Sequence, residues 1–135
     1  AFGPGTTVAA VMQALGLPNT LLGFDLVRDG ELLQADADAA GLLRAAVAGE
    51  LTVVITPTGG QGSLIGRGNQ QLSPELLRRL GRERVRVLAT HGKLEALAAR
   101  PLRLDTGDAG LDAAWSGLWE ITTGYQQQVL YAVQG

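Results

Sequence analysis

Residues 52–90 read TVVITPTGGQGSLIGRGNQQLSPELLRRLGRERVRVLAT. Thr52 to Thr56 is a continuous apolar, β-branched run, the pattern of a strand buried on both faces. A segment carrying glycines at 59, 60, 62, 66 and 68 follows it. Ser73-Pro74-Glu75 then starts a helix: a capping hydroxyl, a proline whose missing N–H is no loss in the first turn, and an acid. Leu76, Leu77 and Leu80 give that helix a buried face, Gly81 ends it, and Val85 to Ala89 reads as the next strand. Strand, glycine segment, helix and strand in this order predict parallel pairing through a crossover.

The rest of the chain repeats the pattern. Val8, Val11, Met12 and Leu15 form one helical stripe, capped by Thr6 or Thr7 and ended by Gly16. Thr20 to Val27 reads as a strand closed by Asp29-Gly30. Ala39, Leu42, Leu43, Ala46 and Val47 mark a helix that stops at Gly49. Beyond Ala89 come a helix around Lys93 to Ala99, a short strand from Leu102 to Asp105, and a helix capped by Asp108. The stripe of that last helix is Leu111, Ala114, Trp115 and Leu118. Trp119 to Thr123 and Gln128 to Val133 close the chain as a strand pair around Gly124. The expected fold is α/β: a mostly parallel sheet with helices on both faces in three layers, and an antiparallel strand or hairpin at the C-terminus. Residues 1–135 form one domain in this reading.

Composition narrows the chemistry. The 135 residues include 19 glycines, about twice the usual share, without the three-residue period of collagen. There is no cysteine, which removes disulfides, thiol catalysis and thiolate metal sites. His91 is the one histidine and the carboxylates are scattered, so no metal site is expected. The formal charge of −2 gives no argument for nucleic acid or for an anionic membrane, and no apolar run is long enough to span one. Ten arginines against the single Lys93 point to a GC-rich coding background. No basic-then-apolar leader precedes the first helix, so a cytoplasmic location is expected. The sequence opens with Ala1 inside a glycine loop and reads as the C-terminal piece of a longer protein, with the preceding domain as its partner.

Two glycine-rich segments suit a ligand. In the longer one, Thr58, Gly59, Gly60, Gln61 and Gly62 let backbone approach a phosphate or ribose. Arg67, beside Gly68, offers a guanidinium fork to an anion, and Asn69, Gln70 and Gln71 offer amides to polar edges. The shorter one, Gly5-Thr6-Thr7 after Gly3-Pro4, is a candidate anion site at a helix start and reads equally as a tight turn with a threonine cap. Asp105 and Asp108 stand three apart across a strand-to-helix turn, where one can bind a ribose hydroxyl, a metal-bound water or an arginine, and Asp108 is more simply a helix cap. Asp25 inside an apolar strand needs a partner or an outward orientation. His91 follows a strand, at a ligand-side or merely solvated position. No catalytic residue is identified. The ligand expected from these residues is a nucleotide or small phosphorylated molecule.

Residues 55–74, ITPTGGQGSLIGRGNQQLSP, resemble the signature of ATP-NAD kinase-like proteins of the AcoX type. GPGTT (3–7), the VLAT…KL segment (87–94), PLRLDTGD (101–108) and ITTGYQQQVLYAV (121–133) fall in the order that family shows. The resemblance covers nearly the whole chain but only the C-terminal part of the family's protein, whose N-terminal part carries a Gly-Gly-Asp-Gly motif. It implies ATP and NAD as ligands of the full-length protein, with no cofactor required by this piece, which is expected to be inactive alone. Thr56-Pro-Thr-Gly59 is similar to the Thr-Pro-Thr-Gly that helps form the nucleotide site of true NAD kinases. Those enzymes continue with Ser-Thr-Ala-Tyr where this chain has Gly-Gln-Gly-Ser, so the substrate need not be NAD. The resemblance also implies a β-rich domain, where periodicity gives alternating helices and strands. Two other readings remain open: an oligomerisation domain, and an enzyme domain of the sugar-phosphate isomerase or CoA-transferase kind, suggested by GPGTT.

Overall fold

A computed structural model describes residues 1–3, 6–14, 24–28, 31–58, 61–66, 69–124 and 126–135. In chain order the elements are α1 (Thr6–Ala14), β1 (Phe24–Arg28), β2 (Glu31–Ala37), α2 (Ala39–Ala48), β3 (Val53–Ile55) and β4 (Ser63–Ile65). They continue with α3 (Pro74–Leu80), a 3-10 turn (Arg82–Arg84), β5 (Val85–Leu88), α4 (His91–Ala96), β6 (Leu102–Leu104), α5 (Ala109–Trp115), β7 (Gly117–Gly124) and β8 (Gln127–Gln134).

The helix caps follow the sequence closely. Asp38, Ser73, Thr90 and Asp108 each accept an N–H from the first turn of the following helix. Gly49 and Gly81 close α2 and α3 with their own N–H groups. Leu15, Gly16, residues 20–23, Asp29 and Gly30 lie outside the described residues, so the ends expected there have no structural counterpart. Leu118 is not on the last helix. Ser116 ends α5, Gly117 turns the chain at φ 145, and Leu118 falls in β7, exposed.

Six strands form one sheet in the order β3-β5-β7-β8-β6-β4. Four of its five pairings are parallel and β7–β8 is antiparallel, so the sheet is mostly parallel as expected. The closing hairpin is last in sequence yet central in the sheet. It divides β3, β5 and β7, which run one way, from β8, β6 and β4, which run the other. β1 and β2 form a separate antiparallel pair, joined to the sheet through Phe2. Phe2 exchanges both backbone hydrogen bonds with Asp25, at 2.9 Å each, while Gly3 N–H donates to Val54 O at 2.8 Å.

Chain reach shows that the sheet is curled. β3 and β4 are its two edges, about 24 Å apart if six strands lay flat. Yet Thr58, three residues past β3, bridges Ser63 at the start of β4. Three residues reach at most about 11 Å and a bridged pair adds about 5 Å. The edges therefore approach one another, and the inner face becomes the core. Burial alternates accordingly: Val85, Val87, Trp119, Ile121, Val133, Leu102 and Leu104 point inward, whereas Arg86, Glu120, Leu130 and Arg103 are exposed. Helices on both faces, the three-layer expectation, find no support in that alternation, because a covered outer face would bury the second set.

At one end of the curl Trp119 Nε1 donates to Trp115 O at 2.8 Å, and the two rings meet edge-on at 6.0 Å. The Arg82 guanidinium lies over the Trp119 ring at 5.3 Å. At the β4–β6 edge, Gly66 has φ 127, and a Cβ there would meet Asp105 O at 2.6 Å. Gly66→Ala is expected to destabilise the domain by about 3 kcal/mol, combining backbone strain and overpacking. Urea unfolding measures it, and a midpoint within error of wild type would show that the two loops do not touch.

Candidate functional site

β4 and β6 are parallel neighbours, so the loops that follow them leave at the same end of the sheet. Asp105 N–H donates to Ile65 O at 2.9 Å, which locks the start of one loop to the start of the other. The Gly66 loop is braced by Asn69, which is only 2% exposed. Its Oδ1 accepts Gly66 N–H at 2.8 Å and its Nδ2 donates to Leu64 O at 2.7 Å, so both amide ends are committed to backbone. Across from it, Thr106 Oγ1 donates to Asp112 Oδ1 at 2.7 Å, and the same oxygen accepts Thr106 N–H at 3.1 Å. Asp108 caps α5 through Leu111 N–H at 3.0 Å and pairs with Arg78 of α3 at 2.7 Å. The hydrogen bond from Arg78, reinforced by Leu111 N–H, holds the Asp108 carboxyl below its ordinary value of 3.8.

Two clefts meet at Asp105. The smaller, about 460 Å³, lies between the loops and is lined by Gly66, Gln70, Ser73, Asp105, Thr106 and Gly107, among others. The larger, about 790 Å³, runs along β4 and β6 past Thr58, Gln61, Ser63, Arg100, Arg103 and Asp105. Asp105 is exposed, and among the described residues its carboxylate makes no hydrogen bond or ion pair. A carboxylate without a partner among the described residues, between the two clefts, is suited to accept hydroxyl or amide donors from a ligand.

The expected site residues divide in two. The 57–74 segment is not one loop, because β4 interrupts it and runs opposite to β3. Its first half therefore turns at one end of the sheet and its second half at the other. Thr6 opens α1 and Thr7 follows it, and neither is among the described residues lining the clefts that Asp105 shares. Thr58 exchanges backbone hydrogen bonds with Ser63, and Gly62, at φ 71, packs against Leu97. At the other end, Gln70 is exposed in the smaller cleft, and the Gln71 Oε1 is buried without a partner among the described residues. Gly5, Gly59, Gly60, Arg67 and Gly68 lie outside the described residues. The larger cleft brings Thr58 and Gln61 together with Asp105.

Arg100 and Arg103 were not anticipated. The signal for Arg103 was present in Leu102-Arg-Leu-Asp105, whose alternation sends Arg103 and Asp105 to one side of a strand. Asp25 is fully buried and accepts Asp36 N–H at 3.0 Å, which gives it the partner its apolar strand demanded. His91 is exposed at the start of α4. Among the described residues no helix is long and apolar enough to cross a membrane, and no three His, Cys, Asp or Glu side chains gather as metal ligands.

A carboxyl whose folded-state value is depressed stabilises the fold above its unfolded value, and that contribution is lost as pH falls through the folded one. The stability gap between wild type and Asp108→Asn is therefore expected to be constant above about pH 5 and to close on acidification. Urea midpoints at successive pH values measure it, and a gap that ignores pH would separate Asp108 from Arg78.

The family model described as ATP-NAD kinase C-terminal domain matches residues 2–133. No curated protein and no solved structure matches the chain.

Proposed function

The chain belongs to the ATP-NAD kinase C-terminal domain family, and we propose that it supplies the nucleotide- or phosphate-binding part of such a protein and is inactive by itself. The observation that carries this reading is the unpartnered Asp105 carboxylate, held where the Gly66 and Thr106 loops are locked together and opening on both clefts. In the full-length protein the ligands would be ATP and NAD, and a preceding domain would bring the phosphoryl-transfer groups. Asp105 accepts ribose hydroxyls in this proposal, and Gln61 and Gln70 read polar edges from either side. Asn69 acts through Gly66, fixing the loop and touching no ligand. Arg67, from its place in the sequence between Gly66 and Gly68, adds an anion contact. The Gly-Gln-Gly-Ser that follows Gly59 fits the AcoX type better than a true NAD kinase.

A second reading, self-association, is favoured by one feature. Leu118 and Leu130 are 59% and 67% exposed on the outer face of the β7–β8 hairpin, where Leu118 faces Ala132 and Glu120 faces Leu130. The two leucines are diagonal neighbours in that register, about 7–8 Å apart. Light scattering tests it: a dimer that Leu130→Glu dissociates supports the reading, and a monomer rejects it.

For the nucleotide reading, calorimetry with ATP, NAD and NADP is expected to show binding that Asp105→Asn weakens about tenfold, the usual worth of one hydrogen bond to a charged group. Wild-type and Asp105→Asn heats that coincide would remove Asp105 from the site. Conversion of NAD to NADP with ATP by this chain alone would overturn the proposed inactivity.

A further inference from the structure

The larger cleft contains two arginines that no ion pair among the described residues neutralises. Arg100 follows Ala98 and Ala99, which adopt φ 51 and 66, a left-handed conformation that residues with a Cβ rarely take. Its N–H donates to Leu97 O at 3.0 Å, its Nε donates to the same oxygen at 2.8 Å, and its own carbonyl accepts the Tyr131 hydroxyl at 2.6 Å. Leu97 is 1% exposed, so the anchor itself is fixed. Three hydrogen bonds and two strained alanines thus set the base of Arg100 and leave its terminal nitrogens to the cleft.

Arg103 comes from the neighbouring strand. Its N–H donates to Gly62 O at 2.9 Å, its Cα partner across the β4–β6 pairing is Ser63, and its side chain is exposed. Among the described residues the ion pairs are Arg78–Asp108 and Arg84–Glu50, so neither cleft arginine is neutralised, although Asp105 is two residues from Arg103. Two guanidinium groups that no ion pair among the described residues neutralises lie on one lining with Ser63 and offer charged donors that suit a phosphate group; the carboxylate of Asp112, on the same lining, is held by Thr106. Asp105, which lines both clefts, adds a carboxylate acceptor beside them.

We infer that Arg100 and Arg103 form a phosphate subsite, which takes the phosphate or diphosphate of a ligand whose hydroxyls reach Asp105. The inference deepens the nucleotide reading and rests on it for the ligand's second half, while the phosphate contact stands on the arginines alone. It places the anion along β4 and β6 and leaves the glycine loops to the rest of the ligand.

The test uses this chain with inorganic pyrophosphate and NADP as probes, measured by calorimetry at low and at high salt. Arg103→Gln and Arg100→Gln are compared with Arg86→Gln, an exposed arginine on β5, and circular dichroism checks that each variant folds. Pyrophosphate and NADP are expected to compete, to bind more weakly at high salt, and to lose about tenfold in affinity with either cleft variant but not with Arg86→Gln. NADP binding that is equal in wild type and both cleft variants would overturn the subsite and leave the nucleotide reading standing. Pyrophosphate binding that depends on the arginines, without any NADP binding, would support the subsite and overturn the nucleotide reading. No binding of either probe would overturn both.

Discussion

A missing side chain organises this molecule. Gly66 has no Cβ, and a Cβ there would lie 2.6 Å from the carbonyl oxygen of Asp105. That absence lets the backbones leaving β4 and β6 touch, with Asp105 N–H bonded to Ile65 O. Because the loops touch, Asn69 can brace one and Thr106 with Asp112 can brace the other. Because both are braced, the backbone of Asp105 is held at the boundary of the two clefts, and its exposed carboxylate opens on them. A larger residue at position 66 would clash with the Asp105 backbone and strain the contact between the two loops.

The curl of the sheet is the second constraint, and it follows from chain length more than from side chains. A connection of three residues followed by a bridge cannot span six flat strands, so the edge strands close on one another. The staggered pairings supply the shear that a curled sheet needs. β6 meets β8 only at Val133 and Gln134, and β5 meets β7 only at Ile121 and Thr122. Closure brings Thr58 and Gln61 into the same cleft as Arg103 and Asp105. The fold thereby reconciles two expectations that had looked opposed, for it alternates helices with strands and is also rich in β structure.

Much of this was legible in the sequence, for identifiable reasons. The capping residues Ser73 and Asp108 were read from the sequence, because caps are local chemistry that does not depend on the rest of the fold, whereas the caps at Asp38 and Thr90 were not. Strands β5, β7 and β8 carried β-branched residues and alternation. Strand β2 was missed because Glu31-Leu-Leu-Gln-Ala-Asp-Ala37 is composed of helix formers and buries almost none of its side chains. Strand β4 was missed because three residues between glycines give no period to read. Missing β4 turned two turns at opposite ends of the sheet into one loop. Asn69 was read as a ligand amide and bonds backbone at both ends, because a polar residue bonded to backbone and one bonded to ligand look alike in sequence; Asp108, read both as a ligand contact and as a helix cap, caps α5. Arg100 was invisible for a stronger reason, since the strained Ala98-Ala99 turn that presents it consists of residues with no turn signal.

The site that results has a division of labour with a physical basis. Glycine and asparagine shape backbone, Arg100 and Arg103, in no ion pair among the described residues, would supply positive charge along β4 and β6, and Asp105 would supply a carboxylate acceptor on both clefts. Such a combination suits a ligand with phosphate at one end and hydroxyls at the other, in keeping with the family to which the chain belongs. The measurement that bears on this most directly is a crystal structure of the chain with NADP bound. The account predicts a phosphate within hydrogen-bond reach of both Arg100 and Arg103 and a ribose hydroxyl on Asp105. A dinucleotide seated elsewhere, with the two arginines and Asp105 still facing solvent, would contradict it.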